Sequence, residues 1–254
     1  MGKYALYAAI AAGLLTGACN ATDSVQFSAL ANQSAMVRDG IPALMSRKTK
    51  SIVLVSPAER GMRTGGRPVF IVAATNLTKQ PFDLHVSDIE VSQETSDGVV
   101  TALPVIPYEQ LASEERNREI AAALLTGVAV AANSYSAAHA GYENVNGMVY
   151  TPNGASTFHA SYYNPTAAAI AQSNANDLNG AMIASTVEAG QRNMETLQHA
   201  VLKDNTIMPG EWVGGQVHIS PPIAESGKPK TYTIRITIAG ETHTIAVTQD
   251  QTKQ

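Results

Sequence analysis

Six histidines, 21 acidic residues and one cysteine are the side chains with which this 254-residue chain could do metal, acid–base or nucleophilic chemistry. The histidines are His85, His139, His159, His199, His218 and His243. No two of them stand at the i, i+4 spacing of a helical metal pair. His199 has Glu195 at that distance, and one His with one Glu on a helix surface reads as a weak ion pair. His85 and His243 fall on the polar phase of their strands, which implies solvated positions. The run Glu114-Glu115-Arg116-Asn117-Arg118-Glu119 reads as the solvated start of a helix rather than a catalytic carboxylate pair. The chain has no His-Glu-x-x-His, no Gly-x-Ser-x-Gly elbow, no Ser-x-x-Lys and no Gly-x-x-x-x-Gly-Lys. The residues therefore call for no cofactor and no metal. A hydrolase whose site is assembled from scattered residues is the enzymatic alternative.

Recognition chemistry has a better candidate. The segment from Tyr142 to Asn164 holds Tyr142, Tyr150, Phe158, Tyr162 and Tyr163, five of the chain's 14 aromatic residues, interleaved with Asn, Ser, Thr and Gly. Tyrosine supplies contact area at low entropic cost, and the small polar residues adapt to a partner. The segment is expected to be a loop. Either it is a contact tip for a protein or glycan, or its tyrosines fold back as a cap over helix ends.

Composition narrows the classes. Lys and Arg number 17, the net charge is −4, hydrophobic residues make up 44% and charged residues 15%. That is too apolar for a disordered chain and not basic enough for a nucleic-acid binder. A single cysteine, Cys19, forms no intramolecular disulfide and no cysteine metal cluster.

Met1-Gly2-Lys3 carries one positive charge, and Tyr4 to Leu15 is an uncharged apolar run too short to span a bilayer. It reads as a signal peptide over residues 1–18. The tract Leu15-Thr16-Gly17-Ala18-Cys19 resembles the lipobox of bacterial lipoproteins, with Thr16 standing where that family usually has Leu. The resemblance implies that Cys19 becomes diacylglyceryl-modified, is exposed by cleavage and is then N-acylated. Several acyl chains anchor a protein stably where one is marginal. Asn20 is not the Asp that retains such proteins in the inner membrane. The resemblance therefore implies an outer-membrane anchor, with the membrane as one partner.

The elements that must position these residues follow from periodicity. Residues 19–50 read as the lipidated N-terminus and a tether, with a short helix near Val25 to Val37. Strands are expected at 51–56, 69–78 and 82–92, the last with a bulge at Ser87-Asp88 where the alternation slips phase. Thr231 to Ile238, the turn Ala239-Gly240 and a returning strand form the clearest hairpin. VFIVAATNLTKQPFDL and MPGEWVGGQVHISPP, together with these strands, resemble an immunoglobulin-like β-sandwich, in two parts at 51–107 and 206–249, with a tail at 250–254.

Between those parts lies a different pattern. A helix is expected from about Tyr108 to Ala140, uncharged from Ile120 to Tyr142. A second starts at Asn164-Pro165, an N-cap followed by proline at the first helical position, and runs to about Lys203. Ile183, Val187, Gly190, Met194, Leu197 and Val201 keep a 4-3-4-3-4 spacing and are expected to form one apolar stripe. Ala is 39 of 254 residues, so the helices can approach closely yet bury little area each. The fold expected is α+β: an immunoglobulin-like antiparallel sandwich with a long antiparallel helical hairpin inserted at 108–205 and a tip at 142–164.

The function expected is a lipid-anchored envelope protein, non-catalytic, with a structural, adhesive or partner-binding role. Its partners would be another envelope protein or a glycan, and further copies of itself through the Ala-rich helices. The alternative is a membrane-inserting or pore-assembly component that uses the uncharged 120–142 helix.

Overall fold

The computed structural model describes residues 22–151, 154–224 and 228–250. Residues 1–21, with the signal-like segment and Cys19, lie outside the described residues, as do 251–254 at the end of the tail. The fold is α+β with antiparallel sheets and two long helices. By its contacts the chain divides into two compact units, Met1–Tyr108 with Ala200–Gln254, and Glu109–His199.

The first unit carries two six-stranded sheets. Its strands before the helices are β1 (Thr22–Ser28), β2 (Gln33–Arg38), β3 (Ile41–Arg47), β4 (Ser51–Pro57), β5 (Met62–Arg63), β6 (Val69–Asn76), β7 (Phe82–Leu84), β8 (Ile89–Glu94), β9 (Val100–Ala102) and β10 (Val105–Ile106). The second unit is built from α1 (Tyr108–His139), β11 (Tyr142–Thr151), β12 (Gly154–Tyr163) and α2 (Pro165–Ala200). The chain then returns through β13 (Asn205–Ile207), β14 (Trp212–Ile219), β15 (Lys230–Ile238) and β16 (Glu241–Asp250). One sheet has the order β5-β1-β16-β15-β8-β9 and the other β10-β14-β6-β4-β3-β2, while β13 and β7 pair separately.

Period-two alternation builds the core. On β15, Tyr232, Ile234, Ile236 and Ile238 point inward, and their partners on β16 include Val247, Ile245 and His243. The opposite sheet contributes Leu44, Val53, Val55, Phe70, Val72, Val217 and Ile219 to the same apolar cluster. Phe70 and Tyr232 meet edge to face across it, ring centroids 6.3 Å apart. Ala239 and Gly240 have φ of 52° and 75°, the left-handed pair that a two-residue hairpin turn requires.

Three local readings change. The tether expected at 19–50, with its short helix, is instead β1, β2 and β3 from residue 22 to residue 47. Strand β1 pairs with β16, Val25 opposite Gln249 and Phe27 opposite Val247, a contact across nearly the whole chain that no local window reveals. Its inward side mixes Asp23 with Val25 and Phe27, which hides the alternation. The phase slip at Ser87-Asp88 is a turn of 3-10 helix, Val86–Asp88, rather than a bulge. Finally, the loop expected at 142–164 is a ribbon of two ten-residue strands, β11 and β12.

Candidate functional site

In the unit Glu109–His199 several short polar side chains face inward while a group of large apolar ones faces out. α2 starts where the sequence places it: the Asn164 side-chain oxygen accepts the N–H groups of Thr166 and Ala167, both at 3.1 Å. α1 and α2 run antiparallel and are joined by short polar side chains. Asn193 donates to Glu115 at 3.0 Å, the Thr126 and Thr186 hydroxyls meet at 2.9 Å, and Asn133 donates to Asn179 at 3.1 Å. Asn179 in turn donates to Ser134 at 3.2 Å. The interior positions beside them are small, among them Ala137, Ala175 and Gly190. Small neighbours let the backbones approach until side chains as short as Thr and Asn span the gap.

The outer faces carry large apolar side chains among polar ones. Leu124 and Leu125 are 68% and 72% exposed, while Asn179 is 7% exposed. Ile120 and Val128 on α1, and Ile170, Leu178, Ile183 and Val187 on α2, are exposed as well. The stripe expected from Ile183 through Val201 therefore splits: Ile183 and Val187 point to solvent, and Gly190 points inward against the Glu119 side chain. Glu115, expected to be solvated, is buried, bonded to Asn193 and paired with Arg118. By length and composition alone α1 could cross a membrane.

The five aromatic residues expected to share one tip do not gather. Tyr142 and Tyr163 face each other at the base of the ribbon with centroids 5.2 Å apart, beside His139 and Tyr135 at the end of α1. Tyr162 donates its hydroxyl to Glu143 on the opposite face. That bond, with a second donated by Asn164, holds the Glu143 carboxyl below its ordinary pKa and raises the Tyr162 phenol. Tyr150 stands opposite Ala155, one pair from the far end of the strands, and Phe158 opposite Gly147 in mid-ribbon. With about 3.3 Å of rise per residue, Tyr150 lies some eight residues along the strand from Tyr142.

The sheet unit contains one constellation that resembles hydrolytic chemistry. His243 has its ring nitrogens 2.9 Å from the Ser51 hydroxyl and 3.0 Å from the Ser46 hydroxyl. Ser51 donates to Glu241 at 2.9 Å, and Glu241 also accepts the Thr49 and Lys50 N–H groups. In a serine triad the carboxylate orients the imidazole; here it accepts the serine hydroxyl's hydrogen bond instead. His243 and Ser51 are fully buried, so the group is a clamp between β16 of one sheet and β3 and β4 of the other. Its position corrects the solvated reading: His243 shares the inward register of Ile245 and Val247. Burial, then the nearby Lys48 charge, push its pKa down to about 4.

His85 keeps its exposed place, 3.1 Å from Asp204, and that hydrogen bond raises its pKa. Among the described residues no group of three or more His, Cys, Asp and Glu stands together as a metal site. The interhelical residues Asn179, Thr186 and Asn193 escaped the sequence reading because only apolar periodicity was followed. Their seven-residue spacing is the signal that could have found them, since it keeps a single face along a helix pair.

Comparison with protein-family models, with curated proteins and with solved structures found no match to this chain.

Proposed function

We propose that this protein is a lipid-anchored, non-catalytic component of the bacterial envelope that assembles with copies of itself through the unit Glu109–His199. The observation that carries the reading is the inverted helix pair, with Asn, Thr and Glu between α1 and α2 and Leu, Ile and Val outside. Burying one such side chain is worth about 1.5–3 kcal/mol, so an isolated copy leaves a large association energy unused. The outer face of α2 also presents Asp177, Glu188 and Arg192, a mixture suited to neighbouring copies rather than to lipid alone.

The anchor rests on the lipobox-like tract ending at Cys19, and Asn20 directs it to the outer membrane. The remainder fits an immunoglobulin-like sandwich, supported by two six-stranded sheets that share one core. The α1 and α2 pair with its ribbon corresponds to the inserted hairpin. A second reading, insertion of α1 into the bilayer, is favoured by its length and composition.

Fractionation and crosslinking of cells expressing the wild type, Cys19→Ser and Leu124→Gln/Leu125→Gln test this together. The expected results are acylation at Cys19, release of Cys19→Ser from membranes, and crosslinked multimers that the double variant lacks. A protein that is unacylated and monomeric in intact cells overturns the proposal. Retention of Cys19→Ser after carbonate washing favours the second reading.

A further inference from the structure

The ribbon of β11 and β12 is a two-stranded sheet with no third strand on either side among the described residues. Such a sheet is marginal in water, and each of its edges presents a row of unpaired N–H and C=O groups. Its two faces differ. Asn144, Asn146 and Met148 stand opposite Ser161, His159 and Thr157, and the His159 ring meets Asn146 at 2.5 Å on that face. On the other parity Val145 stands opposite Ala160, beyond Glu143 and Tyr162, and Gly147 is in register with Phe158. Each strand is ten residues long, within the roughly 9–11 residues of a tilted strand that crosses a bilayer. At one end stand Tyr162, on the parity of Val145, and Tyr142 and Tyr163, on the parity of Asn144; the aromatic girdle of a barrel needs a tyrosine such as Tyr162 on the outward parity.

We propose that the β11–β12 ribbon is one stave of an intermolecular, antiparallel β-barrel that crosses a lipid bilayer, β11 of one copy pairing with β12 of the next. The occupant of each edge is thus a second copy of this chain, and the inference rests on the self-assembly proposed above. β11 and β12 run in opposite directions, so a rotation that repeats the ribbon sets unlike edges side by side with antiparallel polarity. That is a heterologous contact which closes into a ring. An eight-stranded barrel is filled by its own side chains, whereas about 16 strands leave an aqueous channel, hence about eight copies. The area also suffices. A side contact along a helix about 50 Å long and 10 Å wide, continued along a ribbon about 33 Å long, covers about 800 Å² of each copy, the size of a standard stable interface. The Asn144, Asn146, His159 and Ser161 face, with Tyr142 and Tyr163 at its end, lines the water-filled lumen; the Val145 and Ala160 face meets lipid, with the bonded Glu143 and Tyr162 pair at its end, the level of the headgroups.

The test uses the full-length acylated chain, in which the Cys19 sulfur is occupied. Chains carrying Asn144→Cys, Asn146→Cys or Met148→Cys are mixed with differently tagged chains carrying Thr157→Cys, His159→Cys or Ser161→Cys. They are reconstituted in vesicles of phosphatidylethanolamine and phosphatidylglycerol loaded with a fluorescent dye. Disulfides between unlike tags and release of the dye are expected. Val145→Asp or Ala160→Asp should lower release at least tenfold, whereas Asn146→Asp should keep release and raise cation over anion permeability. Multimers without strand crosslinks and with tight vesicles overturn the barrel while leaving self-assembly standing. A chain that is monomeric in both detergent and vesicles overturns both.

Discussion

Asn133 on α1 donates its side-chain amide to the Asn179 carbonyl oxygen on α2 at 3.1 Å, inside a helix pair whose Leu124, Leu125 and Leu178 face outward. Removing one partner leaves the other without its bond, at about 1–3 kcal/mol. Asn179→Ala is expected to lower the stability of the helix pair by that amount in urea unfolding followed by helical circular dichroism. Asn133→Leu/Asn179→Leu should recover most of the loss, since both polar groups then vanish together. A double variant as unstable as the sum of the two singles would show that the contact contributes nothing.

His243 makes stability pH-dependent. Its pKa is about 4 in the fold against 6.5 for the free side chain. The unfolded chain therefore binds the proton first, and the stabilisation present above pH 6.5 is lost as pH falls towards 4. The loss across that window is about 3 kcal/mol. Urea midpoints measured from pH 7.5 to 4 should fall across this window in the wild type. His243→Gln, less stable at pH 7, should show a flatter profile, and equal slopes would remove His243 as the cause.

Two glycines predict opposite outcomes. A Cβ on Gly215 would stand 2.6 Å from the Leu202 backbone nitrogen and 2.8 Å from its Cα, atoms held by the Leu202 to Gln216 bond at 2.9 Å. Gly215→Ala should cost about 2–4 kcal/mol in thermal unfolding of the sheet unit. At Gly190 the contact is the end of the Glu119 side chain, 2.9 Å away. That side chain can swing aside, and alanine gains up to about 1 kcal/mol in a helix. Gly190→Ala should stay within about 1 kcal/mol of wild type.

Asn76 is buried, donates to the carbonyls of Gln80 and Ile207 at 2.7 and 2.9 Å, and accepts from Thr78. It ties the β6–β7 turn to β13. Asn76→Ala should lower the urea midpoint by the equivalent of about 3 kcal/mol, and Asn76→Asp, which lacks both amide donors, should not restore it.

Local chemistry made part of this protein legible from its residues. Asn164-Pro165 sets the start of α2, Ala239-Gly240 with its flanking alternation sets the last hairpin, and the uncharged, Ala-rich run of 120–140 sets a helix. Each is fixed by backbone preference or by a period along a single segment. Asp39-Gly40, with φ of 53° and 76° between β2 and β3, carried a hairpin signal of the same kind that the tether reading passed over.

What faces inward was decided elsewhere. A period says which residues share a face but not which face is covered. That choice belonged to β16 when it buried His243 and paired with β1, and to α1 when it met Asn179, Thr186 and Asn193. Alternation in Tyr142–Thr151 and Gly154–Tyr163 became a ribbon only because ten backbone pairs formed between the two segments. Burial depends on partners distant in sequence, and only the folded chain brings them together.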